Sequence, residues 1–121
     1  MGLNNIKIQK DFGKLKNWIG NKEVESTTTQ YIDLHTPYTG ETIGHVPLGT
    51  ATDVATAVAS AKAAFKLWSN TNIKERVQVM FKLKTLMERD FEQLKQLVSL
   101  ENGKALAEAH GDVAKAIEVL E

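Results

Sequence analysis

The sequence contains no cysteine, only two prolines and no excess of charge of either sign. Without cysteine, the 121-residue sequence provides no disulfide, no cysteine-ligated zinc and no thiol nucleophile. Its 15 basic residues balance 15 acidic ones, so it lacks the basic surface typical of proteins that bind nucleic acid or anionic membranes. No apolar run approaches the roughly 20 residues of a membrane-spanning helix, and the first residues lack the apolar segment of a signal peptide. These absences predict a soluble, cytoplasmic protein with no nucleic-acid or membrane partner.

Residue composition and the spacing of apolar residues divide the chain into three regions. Both prolines, Pro37 and Pro47, lie in the first half. Residues 1–16 are polar, and we expect an N-terminal extension that is either flexible or one short helix. Residues 17–49 carry short β-type runs between turns, whereas residues 50–121 repeat apolar positions with the period of an α-helix. The sequence therefore predicts an α+β chain, with a small antiparallel sheet followed by about four helices.

The strand region contains two turn signals. Gly20 and Asn21 both tolerate positive φ, so they are typical of a two-residue hairpin connection. Pro37 fixes φ and Gly40 closes the second turn. The hydroxyl-rich residues 26–29 are expected to form an exposed loop. Four short strands are predicted, at residues 18–19, 22–25, 31–35 and 41–46.

The helical region contains start and stop signals for four helices. Thr50, with Asp53 three residues later, forms a variant of the capping box. Asp90 is predicted to be the N-cap of the third helix, and Asn102 with Gly103 is a typical C-cap. We expect helices at residues 50–68, 74–89 and 91–102, and a fourth that begins near residue 105. The fourth has no stop signal, and we expect it to continue in a longer protein.

Each predicted helix carries an apolar stripe. The stripe on the first helix consists of Val54, Ala57, Val58, Ala61, Phe65 and Trp68. Such a stripe favours packing on a sheet, and the alternative is a surface for a partner helix. The stripes expected to face inward on the other helices are Val77, Met80, Phe81, Leu83 and Met87, then Phe91, Leu94, Leu97 and Val98, and finally Leu106, Ala109, Val113, Ile117 and Leu120.

The sequence contains few patterns that are typical of a catalytic, metal or phosphate site. His35, His45 and His110 lie in separate elements without the spacing of zinc ligands, so we expect no metal site. Glu101 and Lys104 could take part in catalysis, although residues at a helix end are more often a solvated acid and a cation that caps carbonyls. No glycine-rich strand-to-helix turn is present to hold a phosphate. We therefore assign no catalytic and no cofactor-binding residue.

Several short motifs together resemble those of the aldehyde dehydrogenase superfamily. They lie at residues 16–26, 37–43, 46–47, 53–68 and 99–104, in the family's order and at its distances. The resemblance runs from about residue 15 to residue 121. Two positions depart from the family pattern: Glu23 stands where the family usually has Trp, and Thr36 stands where it usually has Asn.

Within that superfamily, residues 15–17, 31–35 and 109–113 are most similar to the CoA-acylating methylmalonate-semialdehyde dehydrogenases. The resemblance implies an enzyme roughly four times as long, assembled as a dimer or tetramer, with a Rossmann-like NAD domain and a catalytic domain that bears a nucleophilic cysteine. It also implies that NAD accepts a hydride from a small aldehyde and that coenzyme A takes the acyl group. Residues 50–121 would be a truncated helical part of the NAD-binding domain, and the chain alone would be inactive.

The same resemblance identifies one candidate substrate-binding residue, Lys115. It implies that an arginine two residues beyond the segment at 109–113 holds the substrate carboxylate, and this chain has lysine there. Lysine is a point charge rather than a planar fork, which implies weaker binding of a carboxylate or a different aldehyde. The alternative is that Lys115 is a solvated helix cation. Two other functions stay open: a non-acylating NAD(P)-dependent aldehyde dehydrogenase, and a stand-alone interaction module derived from this segment.

Overall fold

The computed structural model describes residues 11–121, which fall into two compact units. We call residues 11–34 and 42–71 the strand unit, and residues 35–41 and 72–121 the helical unit. The assignment of residues 50–121 to an NAD-binding domain stays a prediction. The described elements are β1 (Asn17–Ile19), β2 (Lys22–Val24), β3 (Tyr31–His35), β4 (Thr42–Pro47), α1 (Ala51–Trp68), α2 (Ile73–Arg89), α3 (Phe91–Asn102) and α4 (Leu106–Glu118).

The first two strands form the predicted hairpin. β1 and β2 pair in antiparallel fashion, with Asn17 opposite Val24 and Ile19 opposite Lys22. Gly20 and Asn21 connect them with φ values of 61° and 60°. Positive φ at both positions matches the right-handed twist of a two-stranded ribbon, which explains why this dipeptide forms the turn. The predicted hairpin is confirmed.

A second pairing joins β3, β4 and the residues just before β1. β3 pairs with β4, so the strands form two two-stranded sheets instead of one. The Phe12 N–H donates to the carbonyl of Ile43 at 2.7 Å, and the Leu15 N–H donates to the carbonyl of His45 at 2.9 Å. Residues 12–15 therefore lie beside β4, and the prediction of a flexible or helical extension is wrong for them. Residues 1–10 lie outside the described residues.

α1 begins as predicted but does not bury its apolar stripe. The Thr50 hydroxyl accepts a hydrogen bond from the Asp53 N–H, and the Asp53 carboxylate accepts one from the Thr50 N–H. Along the stripe, however, Val58 is 46% exposed and Phe65 is 65% exposed. Within residues 11–121 no sheet covers this stripe, so its predicted packing on a sheet stays a prediction about the longer protein. The three-residue strand β1, which contacts α1, is too short to cover an 18-residue helix.

The helical unit has its core on α4. α3 and α4 pack mainly on each other, and α2 contacts both. Ala109, Val113 and Ile117 are buried, which confirms the predicted inward face of α4, but Leu106 is exposed. α4 ends at Glu118, earlier than the apolar pattern predicted.

α2 presents most of its predicted core residues to solvent. Val77, Met80, Phe81 and Leu83 are all exposed, whereas Met87 is half-buried. The prediction of an inward face is therefore wrong for most of α2 within the described chain. The physical reason is that α3 and α4 use their apolar surfaces mainly on each other, which leaves little for α2.

α3 begins and ends at the predicted residues, but its start is stabilised differently. Asp90 makes no side-chain cap bond, since both of its oxygens accept from the Arg89 guanidinium, at 2.9 and 2.6 Å. The predicted N-cap position is confirmed, but the expected cap bond is absent because a neighbouring arginine offers the carboxylate a bidentate partner. At the other end, Gly103 has a φ of 78° and forms the predicted left-handed C-cap. Between residues 11 and 121, no helix is both long and apolar enough to cross a membrane.

Candidate functional site

Lys115, the one substrate-binding residue that the sequence suggested, lies in the last turn of α4. Its Nζ donates a hydrogen bond to Oε2 of Glu118 at 2.6 Å, and the two side chains are 75% and 59% exposed. The buried face of α4 carries Val113 and Ile117, and Lys115 lies about 200° around the helix from each. Lys115 is thus a solvent-facing cation that already has a carboxylate partner, and its role in substrate binding stays a prediction.

Lys104 and Glu101, the other charged candidates, form no reactive arrangement within the described chain. The Lys104 ammonium donates to Oδ2 of Asp112 at 2.7 Å, and this bond raises the pKa of Lys104 above its ordinary value of 10.5. A lysine that acts as a general base needs the opposite change, a lowered pKa. Glu101 is exposed in the last turn of α3. Lys104 therefore joins the end of α3 to α4 through Asp112, instead of capping carbonyls as the alternative reading expected.

The three histidines lie on three different elements, and their neighbouring side chains differ. Nδ1 of His45 on β4 lies 2.7 Å from a carboxylate oxygen of Asp33 on β3. The ring of His110 on α4 meets the ring of Phe91 edge-on, with 4.8 Å between centroids. His35 is the last residue of β3. In the part of the chain that the structure describes, no group of three or more His, Cys, Asp or Glu residues is arranged to hold a metal ion.

The strand unit contains a buried polar cluster around Asp53. One carboxylate oxygen accepts from the Ser26 hydroxyl at 2.6 Å and the Thr50 N–H at 2.8 Å, and the other accepts from the Thr27 N–H at 3.0 Å. These bonds, that of Ser26 above all, hold the pKa of Asp53 well below its ordinary value of 3.8. The cluster ties the loop after β2 to the start of α1. Ser26 and Thr28 are half-buried, so the prediction of an exposed loop is wrong for these two residues.

The start of α1 does not provide a phosphate site. α1 follows β4 directly, and a dinucleotide is commonly held where a strand leads into a helix, with its phosphates on the free helical N–H groups. Here the Asp53 carboxylate occupies that end and would repel a phosphate. The other described helices follow Asn72, Asp90 and Ala105, and none begins in a glycine-rich turn. Among residues 11–121, no helix therefore begins with the free N–H groups of a glycine-rich turn.

In the helical unit, the turn after β3 is fixed to the end of α3. Thr36 is buried, and its hydroxyl donates to the carbonyl of Leu100 at 2.8 Å. A Cβ atom placed on Gly103 would lie 3.0 Å from Cβ of Pro37. Thr36 is one of the two departures from the family pattern, and here its hydroxyl satisfies a carbonyl in the last turn of α3. The turn thereby positions the connection that leads into α4.

Comparison with known proteins identifies the family of this chain. The sequence model of the aldehyde dehydrogenase family matches residues 24–121. Because that match covers most of the chain, the chain belongs to the aldehyde dehydrogenase family. The resemblance found in the sequence motifs is confirmed.

Individual relatives agree with this assignment. Malonate-semialdehyde dehydrogenase 2 of Bacillus mycoides is 44% identical over 112 residues, which are 93% of this chain and 23% of the relative. A methylmalonate-semialdehyde dehydrogenase of Sinorhizobium meliloti, solved with NAD, matches 88% of this chain at a TM-score of 0.85 and 36% identity. Aldehyde dehydrogenase C of Pseudomonas syringae, solved with NAD⁺ and octanal, matches 88% at a TM-score of 0.84 and 36% identity.

These matches confirm the predicted fold and also define its extent. This chain spans 23% of the Bacillus relative and 22% of each of the two solved chains. The small sheets and four helices are therefore a part of the aldehyde dehydrogenase fold. The chain contains less than a quarter of the residues of each of these three relatives.

Proposed function

We propose that this chain is the amino-terminal segment of an NAD-dependent aldehyde dehydrogenase that converts malonate or methylmalonate semialdehyde to an acyl-CoA. The observation that carries the proposal is the 44% identity to a malonate-semialdehyde dehydrogenase over 93% of the chain. When bound, NAD supplies the acceptor for a hydride, and coenzyme A takes the acyl group. The proposal includes assembly into a dimer or tetramer in the cytoplasm, as the family resemblance implies.

In this proposal the segment contributes structure and is inactive alone. The reaction needs a nucleophile that attacks the aldehyde, and the sequence contains no cysteine to provide a thiolate. The family resemblance implies an NAD site outside this chain, and the start of α1 carries Asp53, whose carboxylate disfavours a phosphate there. The exposed apolar side chains of α1 and α2 supply surface that the remaining three quarters of a typical relative cover.

Lys115 is the residue of this segment that we propose contacts the substrate. Its ammonium attracts the carboxylate that distinguishes malonate semialdehyde from a neutral aldehyde such as propanal. A charged hydrogen bond contributes about 1.5–3 kcal/mol, and the exposure of Lys115 favours the lower end. In the full-length enzyme, Lys115→Ala should raise KM for malonate semialdehyde about tenfold and leave KM for propanal unchanged. Equal effects on both substrates, or none on either, would make Lys115 a solvated helix cation.

A second candidate is a non-acylating enzyme that acts on a different aldehyde. It is favoured by the Pseudomonas syringae enzyme solved with octanal, which is as similar to this chain, at 36% identity, as the Sinorhizobium meliloti enzyme is. Lysine in place of a carboxylate-binding arginine agrees with such a change of substrate. The two candidates differ in their need for coenzyme A.

The test is an assay of NADH formation by the purified full-length enzyme and, in parallel, by the 121-residue chain. The full-length enzyme should sustain NADH formation from malonate semialdehyde beyond one equivalent per active site only when coenzyme A is present, and acyl-CoA should then accumulate in step with NADH. The chain alone should produce none. Sustained NADH formation without coenzyme A would favour the second candidate. Aldehyde-dependent NADH formation by the chain alone, purified free of host enzymes, would contradict the proposal.

A further inference from the structure

The ion pair between Lys115 and Glu118 places an acidic side chain beside the proposed carboxylate site. The two residues are three apart on α4, so their side chains lie on neighbouring positions of one helix face. The distance of 2.6 Å between Nζ of Lys115 and Oε2 of Glu118 is that of a direct, charge-assisted hydrogen bond. The nitrogen that would meet a substrate carboxylate therefore already meets a carboxylate of the protein.

A substrate carboxylate can bind the Lys115 ammonium by displacing Glu118 or by sharing the ammonium with it, and both arrangements cost free energy. If the incoming carboxylate displaces Glu118, the hydrogen bond at 2.6 Å is lost. If both carboxylates share the ammonium, two negative charges lie within a few ångströms of each other and repel. An arginine would reduce the conflict, because its planar fork offers five donors in fixed directions, whereas an ammonium is a compact point charge. A neutral aldehyde experiences neither effect.

We propose that Glu118 lowers the preference for carboxylated over neutral aldehydes, by competing with the substrate carboxylate for the Lys115 ammonium. This inference rests on the proposed function, in which Lys115 binds that carboxylate. Glu118 acts through Lys115 and is a specificity-determining residue that positions the cation. Both side chains are more than half exposed, so solvent screens the competition and its effect is a few-fold change in affinity.

The test is the Glu118→Gln variant of the full-length enzyme. Glutamine keeps the length and the hydrogen-bonding capacity of the side chain and removes its charge. We expect KM for malonate semialdehyde to fall about two- to fivefold, the range of an exposed ion pair, with kcat unchanged. KM for propanal should not change.

Glu92→Gln is the matched control. Glu92 on α3 makes an ion pair of the same length, 2.6 Å, with Lys95, which is also three residues away. This variant removes the same charge from an ion pair of the same spacing on a different helix, in which the lysine side chain is 17% exposed. It should leave KM for both aldehydes unchanged.

A cycle with Lys115→Ala separates the inference from the proposed function. If Glu118 acts through Lys115, Glu118→Gln should have no effect on KM once Lys115 is alanine. No change from Glu118→Gln, together with a raised KM from Lys115→Ala, would overturn the inference and leave the proposed function standing. If Glu118→Gln still lowers KM when Lys115 is alanine, the fall is a general effect of the removed charge, and the inference is overturned. No effect of Lys115→Ala would overturn the role of Lys115 and the inference with it.

Discussion

α1 and α4 carry apolar stripes of the same period, yet one is exposed and the other buried. Val58 on α1 is 46% exposed, whereas Val113 on α4 is 5% exposed. α4 has α3 packed along it, and α1 contacts a strand of three residues. The comparison shows that a periodic pattern identifies the apolar face of a helix but not the element that covers it. That element can belong to a part of the protein outside the segment.

The uncovered face of α1 agrees with the small share of the family fold that this chain contains. Val54 and Phe65 on this face remain mostly exposed, although α1 is regular and well capped at its start. Exposed apolar surface of this kind promotes self-association and the binding of hydrophobic dyes. We therefore expect the isolated chain to be marginally stable and to associate, and a cooperative monomer would favour the interaction-module hypothesis.

The sharpest test of the comparison replaces one valine on each helix. Val113→Ala should lower the free energy of unfolding of the isolated chain by about 2 kcal/mol, because two buried methyl groups are lost and a cavity remains. Val58→Ala is the matched control and should change it by less than about 0.5 kcal/mol, since nearly half of Val58 is in water and alanine is the better helix former. Urea denaturation followed by circular dichroism measures both. Equal losses would show that the stripe on α1 is already packed.

A second pair of variants tests how the helical unit holds α4. Gly103→Ala should destabilise the chain by about 1–2 kcal/mol, because alanine is strained at a φ of 78°. The added methyl group would also lie 3.0 Å from Pro37. Gly111→Ala, in the middle of α4 with open space around it, should instead stabilise the chain by about 1 kcal/mol. Thermal unfolding of both variants measures these changes in stability. Destabilisation by Gly111→Ala would contradict the open space described around α4.

The smallest expected effect is a difference in acid sensitivity between the two units. The pKa of Asp53 is lowered in the folded chain, so its contribution to stability is complete above the unfolded value near 3.8. That contribution is lost as the pH falls through the folded pKa. Both tryptophans, Trp18 and Trp68, lie in the strand unit, so their fluorescence reports on its unfolding by acid. Asp53→Asn should remove this part of the acid dependence, and an unchanged titration would show that the cluster does not hold the unit.

Local signals in the sequence were sufficient for most element boundaries. The Gly20–Asn21 turn, the Thr50 capping box and the Gly103 C-cap each depend on residues close together in the chain, and each is confirmed. The Lys115–Glu118 pair was equally predictable, because residues three apart are neighbours on a helix.

Long-range arrangements were not predictable from this one sequence. The bond from Ser26 to Asp53 joins residues 27 positions apart, and the pairing of residues 12–15 with β4 uses backbone groups that every residue has. Asp90 is the predicted N-cap residue, but its side-chain bond was not predictable because a local competitor, Arg89, donates to both of its oxygens. The candidate site was the least predictable part, since one cation on a helix carries no information about its ligand.

Hydrogen exchange of α1, measured by mass spectrometry in this chain alone and in the full-length enzyme, tests the central claim most directly. The claim is that this segment of the aldehyde dehydrogenase family leaves α1 uncovered until the rest of the enzyme packs on it. An uncovered helix opens locally at low cost, so its amides exchange quickly. The account predicts that exchange in α1 slows strongly in the full-length enzyme, while exchange in α4 around Val113 changes much less. Equal exchange of α1 in both proteins would contradict it.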